Sequence, residues 1–260
     1  MPVDLFAPGV PQALVLLAVR LTGLLLVAPV FSAKAVPVRV RTGLLLVLTL
    51  LLAPVAVSAL GVQAGRVAVT PESFAAELVV GFALGFGAAV LVGVVETAGD
   101  LMATTIGLSG ASLLDPLGGG SSPVLAQFAQ LFAVTVLLAL DGHLVMLDAV
   151  AESVRALPVG GAVDLPAGLA ALAASGASLF LLGLRFAAPV IAASMIGNTA
   201  LAVLTRVAPS INVLTVAFPL QAALGLTAVV AALAMTATWL VGWSGHYGDV
   251  LARIFAALAP

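Results

Sequence analysis

The chain contains no cysteine among its 260 residues, which excludes disulfides, thiolate metal sites and a cysteine nucleophile while leaving the redox compartment open. Charge is also scarce. Asp, Glu, Lys and Arg together make up 8% of the chain, against about 25% in soluble domains. A nucleotide cradle is missing as well: Gly118-Gly-Gly-Ser-Ser-Pro123 lacks the Gly-Lys-Ser/Thr ending of a P-loop and has no lysine near it. Neither a Ser-His-Asp ordering nor a pair of catalytic carboxylates in an evident pocket can be argued, so no enzymatic activity, cofactor or metal is expected. The N-terminus Met1-Pro-Val-Asp has no positive n-region and Arg20 interrupts the first apolar run, so no cleaved signal peptide is expected.

What fills the chain instead is apolar. Hydrophobic residues account for 63%, against about 45–50% in soluble domains, which marks an integral membrane protein. Apolar runs cover roughly Val10–Phe31, Leu44–Leu60, Phe74–Val95, Val124–Leu140, Ala167–Ile196 and Ile211–Val241. Each is near or above the ~17–25 residues that span a bilayer as a helix. None alternates in the manner of a barrel strand, so an all-α membrane fold of about six helical segments is predicted. Pro54, Pro189 and Pro219 fall inside or near the ends of these runs, so bent hairpins are expected.

The net charge of −2 conceals an asymmetry. Residues 1–70 carry five basic residues and one acid, whereas residues 96–164 carry seven acids and one base. With the N-terminus outside, Lys34, Arg39, Arg41 and Arg206 lie on the cytoplasmic side and Arg66, Arg155 and Arg253 on the other, a balance that leaves the orientation open.

Two connections break the apolar background. Thr97–Pro123 is read as an irregular loop because it holds Gly107, Gly110, Pro116 and the triple Gly118–Gly120. Leu157–Pro166 is read as an ordinary surface turn, and as the internal boundary between four segments and a terminal two-helix hairpin. Asp141-Gly-His143 with Asp148 and Glu152 offers metal or proton chemistry on paper. The plainer reading is a polar interruption of the fourth segment, followed by a solvated face of Asp148, Glu152 and Arg155.

Within the third segment Gly81, Gly85, Ala89, Gly93 and Thr97 recur every four residues, a small-residue ladder for close helix packing. The arginines are sharper signals. An arginine in the middle of an apolar helix costs about 2.5–3.5 kcal/mol even on lenient insertion scales. Arg206, near a helix end, can snorkel. Arg20 and Arg185, near the middle of their runs, are expected to be buried against carbonyls or acids, with Glu77 and Glu96 as candidate partners.

Arg20-Leu-Thr-Gly-Leu…Ala-Pro-Val-Phe-Ser32 and Val36-Pro-Val-Arg-Val-Arg-Thr-Gly43 open a series of elements. Glu77 with Gly81–Gly87, Glu96-Thr-Ala-Gly99, Gly107-Leu-Ser109, Asp115-Pro116, Asp141-Gly-His-Leu144 and Ser153-Val-Arg-Ala-Leu-Pro158 continue it. It closes on Gly183–Leu220, with Arg206-Val-Ala-Pro-Ser-Ile-Asn212 and Ala217-Phe-Pro-Leu220. In this order the elements resemble the FliR/SctT family of type III secretion export-gate subunits over almost the whole chain. Ser210 stands where that family commonly has Gln, and Asn198 is more like the flagellar than the virulence branch.

The resemblance implies an inner-membrane subunit of the flagellar basal body, assembled with FliP-like and FliQ-like membrane subunits and an FlhB-like subunit. Its substrates would be unfolded proteins, with lipid around the assembly and no nucleic acid. Residues 1–160 would correspond to a FliP-like four-helix part and residues 161–260 to a FliQ-like hairpin with a short, featureless tail beyond Trp243. The plug of the closed pore would be the 107–123 loop, with Gly107, Gly110, Asp115, Pro116, Gly118, Gly119, Gly120 and Pro123. Assembly and packing would involve Arg20, Gly81, Gly85, Ala89, Gly93, Arg185, Arg206, Pro209, Asn212 and Pro219. The competing classes are an independent small-solute transporter or channel and a structural membrane anchor. The halves show neither an inverted repeat nor polar clusters at matching depths.

Overall fold

A computed structural model describes residues 7–33, 36–60, 67–107, 124–208 and 213–259. The regular elements among them are helices: α1 (Val10–Val27), α2 (Pro29–Ser32), α3 (Val38–Leu60), α4 (Pro71–Ile106), α5 (Val124–Ala139), α6 (Gly142–Ala156), α7 (Leu165–Val207), α8 (Val213–Val241) and α9 (Trp243–Leu258). Five are long and apolar enough to cross a membrane, or six if α5 and α6, which meet at a 69° bend, form one broken span. The chain thus has the all-α membrane architecture read from its apolar runs.

Local chemistry sets the helix ends. α1 stops at Ala28, whose extended backbone precedes Pro29. Before α4, the Ser73 N–H donates to Thr70 Oγ1 at 3.1 Å and the Thr70 N–H to Ser73 Oγ at 2.9 Å, a reciprocal cap ahead of Pro71. α4 ends at Gly107, whose φ of 84° suits a residue without Cβ. The break between α5 and α6 is Asp141 at φ 55°, a left-handed conformation that Asp tolerates better than most residues.

Contacts group the chain into two compact units. The first comprises Met1–Leu91, Leu138–Gly176 and Trp243–Pro260. In it α1 packs along α3, and α6 contacts both α3 and α9. One core cluster joins Val80 and Ala83 of α4, Leu157, Leu172 of α7, and Val250, Ile254 and Leu258 of α9. The second unit comprises Val92–Leu137 and Ala177–Gly242. Its core joins Val94, Ala98, Met102 and Ile106 of α4 to Phe186, Ala187 and Val190 of α7 and Val229 and Ala232 of α8. Trp239 meets Phe186 edge to face at 5.2 Å between ring centroids.

Three expectations need correction. The loop placed at Thr97–Pro123 does not begin at Thr97, because α4 continues to Ile106. Ala98, Met102 and Ile106 extend the buried four-residue period of Val94, so packing overrides the loop-like look of Gly99 and Asp100. The tail beyond Trp243 is not featureless. It forms α9, with Trp243, Tyr247, Val250, Leu251, Ile254 and Leu258 on one buried seam. The Tyr247 hydroxyl donates to the Leu84 carbonyl at 3.0 Å, and burial holds its pKa above the usual tyrosine range. Finally, Leu157–Pro166 is more than a surface turn, since Leu157 and Val159 are buried.

Candidate functional site

Arg20 of α1 is 1% exposed, and the carboxylate that meets it is Glu77 of α4, 3% exposed. Arg20 Nε donates to Glu77 Oε2 at 2.6 Å and Nη2 to Oε1 at 3.1 Å, a two-pronged contact suited to the planar guanidinium. Nη1 donates to Ser153 Oγ of α6 at 3.2 Å, and Nη2 also donates to the Leu157 carbonyl at 2.9 Å. The Gly160 N–H then donates to Glu77 Oε1 at 2.8 Å. The Ser153 hydroxyl itself donates to the Val150 carbonyl at 2.7 Å. One buried knot therefore fastens α1, α4, α6 and the segment after α6, with both charges compensated.

The knot can close because α1 and α4 touch backbone to backbone. A Cβ added at Gly81 would lie 1.8 Å from the Arg20 carbonyl oxygen, and one at Gly23 would lie 2.6 Å from the Phe82 nitrogen. One at Gly85 would lie 2.9 Å from the Leu24 carbonyl oxygen. Glycine is needed where no side chain fits between two helix backbones. The ladder read from sequence changes partner along its length. Gly81 and Gly85 face α1, Ala89 is half-buried, and Gly93 faces the Leu179 side chain within the second unit. Thr97 packs on Gly183 there.

The second mid-helix arginine behaves differently. Arg185 of α7 is exposed and has no hydrogen-bond or ion-pair partner among the described residues. The burial expected for it is absent among the described residues. Glu96, weighed as an arginine partner, instead accepts from Gln130 Nε2 at 3.1 Å. Arg206 is exposed in the last turn of α7, where its charge suits the negative end of the helix dipole. Pro54, Pro189 and Pro219 lie inside α3, α7 and α8. Asp148, Glu152 and Arg155 are exposed on α6 as expected. Of the proposed plug residues only Gly107 is described; Gly110, Asp115, Pro116, Gly118, Gly119, Gly120 and Pro123 lie outside the described residues, as do Pro209 and Asn212.

Sequence reasoning did not single out Gly23, Gly160, Tyr247 or Gln221. Gly23 had a readable signal, three residues beyond Arg20 on α1. Gln221 had none; its amide donates to Asn198 Oδ1 and ties α7 to α8. Among the described residues no three His, Cys, Asp or Glu side chains gather in a way that could hold a metal.

Residues 12–244 match the profile of the bacterial export proteins, family 1. The chain belongs to that family. Among the relatives of this chain, flagellar biosynthetic protein FliR of Escherichia coli (strain K12) is 31% identical over 245 residues, 92% of this chain and 91% of the relative. Flagellar biosynthetic protein FliR of Pectobacterium carotovorum is 30% identical over 248 residues, 93% and 92% of the two chains. The protein of the same name from Caulobacter vibrioides is 28% identical over 232 residues, 89% and 91%. These matches bear out the FliR/SctT resemblance read from the sequence; the helices make the chain a multi-pass membrane protein, and its family is one of bacterial export proteins.

Proposed function

We propose that the chain is a subunit of the flagellar type III protein-export gate in the bacterial inner membrane. With FliP-like and FliQ-like subunits, and beside an FlhB-like subunit, it encloses a gated pore for unfolded substrates. The observation that carries this reading is end-to-end similarity to proteins named flagellar biosynthetic protein FliR, at 31% identity over 92% of the chain. The architecture fits it: the chain binds itself together through buried polar and glycine contacts while Arg185, on an apolar helix, is unmatched among the described residues. In this reading residues 1–160 act as a FliP-like part and 161–260 as a FliQ-like hairpin. That division concerns likeness to other subunits, and is separate from the interleaved contact units.

The glycine-rich connection 107–123 is proposed as the plug, supported by its three consecutive glycines and its few charges. Deleting Leu113–Ser122 should leave assembly largely intact and let ions leak, seen as slowed growth and a collapsed membrane potential. Gly118→Pro with Gly120→Pro should instead hinder export, because the connection loses backbone freedom needed for gating. A deletion variant with normal potential and normal export would remove the plug role.

A further inference from the structure

On the second unit's α7, Leu181, Arg185, Ala188, Ala192, Met195 and Thr199 recur at intervals of four, three, four, three and four, and every one is exposed. This is the spacing of a helix–helix seam. The opposite side of the same helix is already occupied, with Phe186, Ala187 and Val190 in the core of the unit. Ala188 and Ala192 leave room beside Arg185 for a second helix backbone to come close.

Arg20 shows what an arginine in an apolar helix requires in this chain: a two-pronged carboxylate, a hydroxyl and a backbone carbonyl. Arg185 has none of these among the described residues. Lipid is a poor neighbour for an unpaired guanidinium. Open water is a poor neighbour for the flanking apolar residues, of which Leu181 is 69% and Met195 64% exposed. A second copy of this chain in a symmetric contact through the same face would offer Arg185 no acid, because Leu165–Val207 contains no Asp or Glu. The fork of the guanidinium matches a carboxylate.

We infer that the Leu181–Thr199 face of α7 seats a helix of another subunit, which presents an Asp or Glu carboxylate to Arg185. This assignment rests on the export-gate reading for the partner's identity, though not for its chemistry. Arg185 is then a positioning residue for assembly, since the charge pair fixes the register of an otherwise apolar seam.

The absence of native cysteine makes the test direct. A single cysteine placed at Ala192 of the full chain, carrying a photoreactive label, is irradiated in native membranes and the joined peptide is sequenced. In parallel, Arg185→Glu, Arg185→Leu and Arg185→Lys are followed by the yield of intact complex on native gels. Protease resistance of the purified chain checks that each variant is folded.

The expected results are a cross-link to a partner helix holding an acid within one turn, and about tenfold or greater loss of complex for Arg185→Glu. The loss should be smaller for Arg185→Leu and smallest for Arg185→Lys. Changing the cross-linked acid to Arg should restore assembly with Arg185→Glu. Labelling of lipid alone, wild-type assembly by Arg185→Glu, or failure of every acid-to-Arg change to restore it would overturn the inference. If Arg185→Glu assembles and exports normally, the docking surface falls and the export reading stands. If the rescuing partner has no part in export, the docking surface stands and the export reading falls.

Discussion

Glu77→Ala is expected to destabilise the protein by about 3–5 kcal/mol, because it leaves a 1%-exposed arginine without its counter-charge. Arg20 would keep Ser153 and the Leu157 carbonyl but lose the two-pronged contact, and the Gly160 N–H would lose its acceptor. Arg20→Leu should fall in the same range, since it strands Glu77 as a buried carboxylate. Removing both charges with Arg20→Met and Glu77→Leu should lose much less than the sum of the single changes. Apolar side chains of similar volume can replace a buried ion pair at little net loss, and only the Leu157 and Gly160 backbone groups are then left to find other partners. Unfolding of the purified chain in mild detergent, with Arg20→Met and Glu77→Leu also made singly, measures all four corners of this cycle. A double variant as unstable as the two singles combined would mean that Arg20 and Glu77 act independently.

Gly81→Ala should be the most damaging single-methyl change in the described chain. The added Cβ would sit 1.8 Å from the Arg20 carbonyl oxygen, a backbone atom that cannot rotate away. α1 and α4 must separate, and Arg20 is carried off Glu77 with them. Overpacking typically costs about 1–3 kcal/mol, and the coupling to the ion pair puts this change at the top of that range or beyond it. Gly85→Ala, with its nearest atom at 2.9 Å, should cost less. Gly43→Ala, with nothing within 4 Å, should be neutral or mildly stabilising, by up to about 1 kcal/mol. Thermal unfolding of the purified chain in mild detergent would rank the three. Equal stability of Gly81→Ala and Gly43→Ala would contradict the close crossing of α1 and α4.

The apolar runs revealed the helices because a membrane span is a composition signal that needs no tertiary information. Their ends were harder to read. Residues 97–106 carry Gly99, Asp100 and three threonines, yet Ala98, Met102 and Ile106 find a core to enter, and that core is made by α7 and α8 far away in sequence. α9 was missed because His246, Asp249 and Arg253 dilute its apolar residues below any spanning threshold, although its one-sided pattern was present.

The candidate site was half legible. That Arg20 needs a partner follows from its helix alone. That the partner is Glu77, 57 residues away, with Gly160 as a further donor, depends on a crossing that one sequence cannot display. Arg185 marks the other side of this limit: its need is legible, and none of the described residues meets it.

The central claim is that this protein works as one subunit of a membrane export gate. Gentle solubilisation of native membranes, capture through a tag on this chain and mass spectrometry of the intact assembly test it most directly. The account predicts a defined complex in which this chain is accompanied by FliP-like and FliQ-like chains in fixed ratio. Recovery of the chain alone or only with copies of itself, from cells that are exporting flagellar proteins, would contradict it and favour an independent transporter.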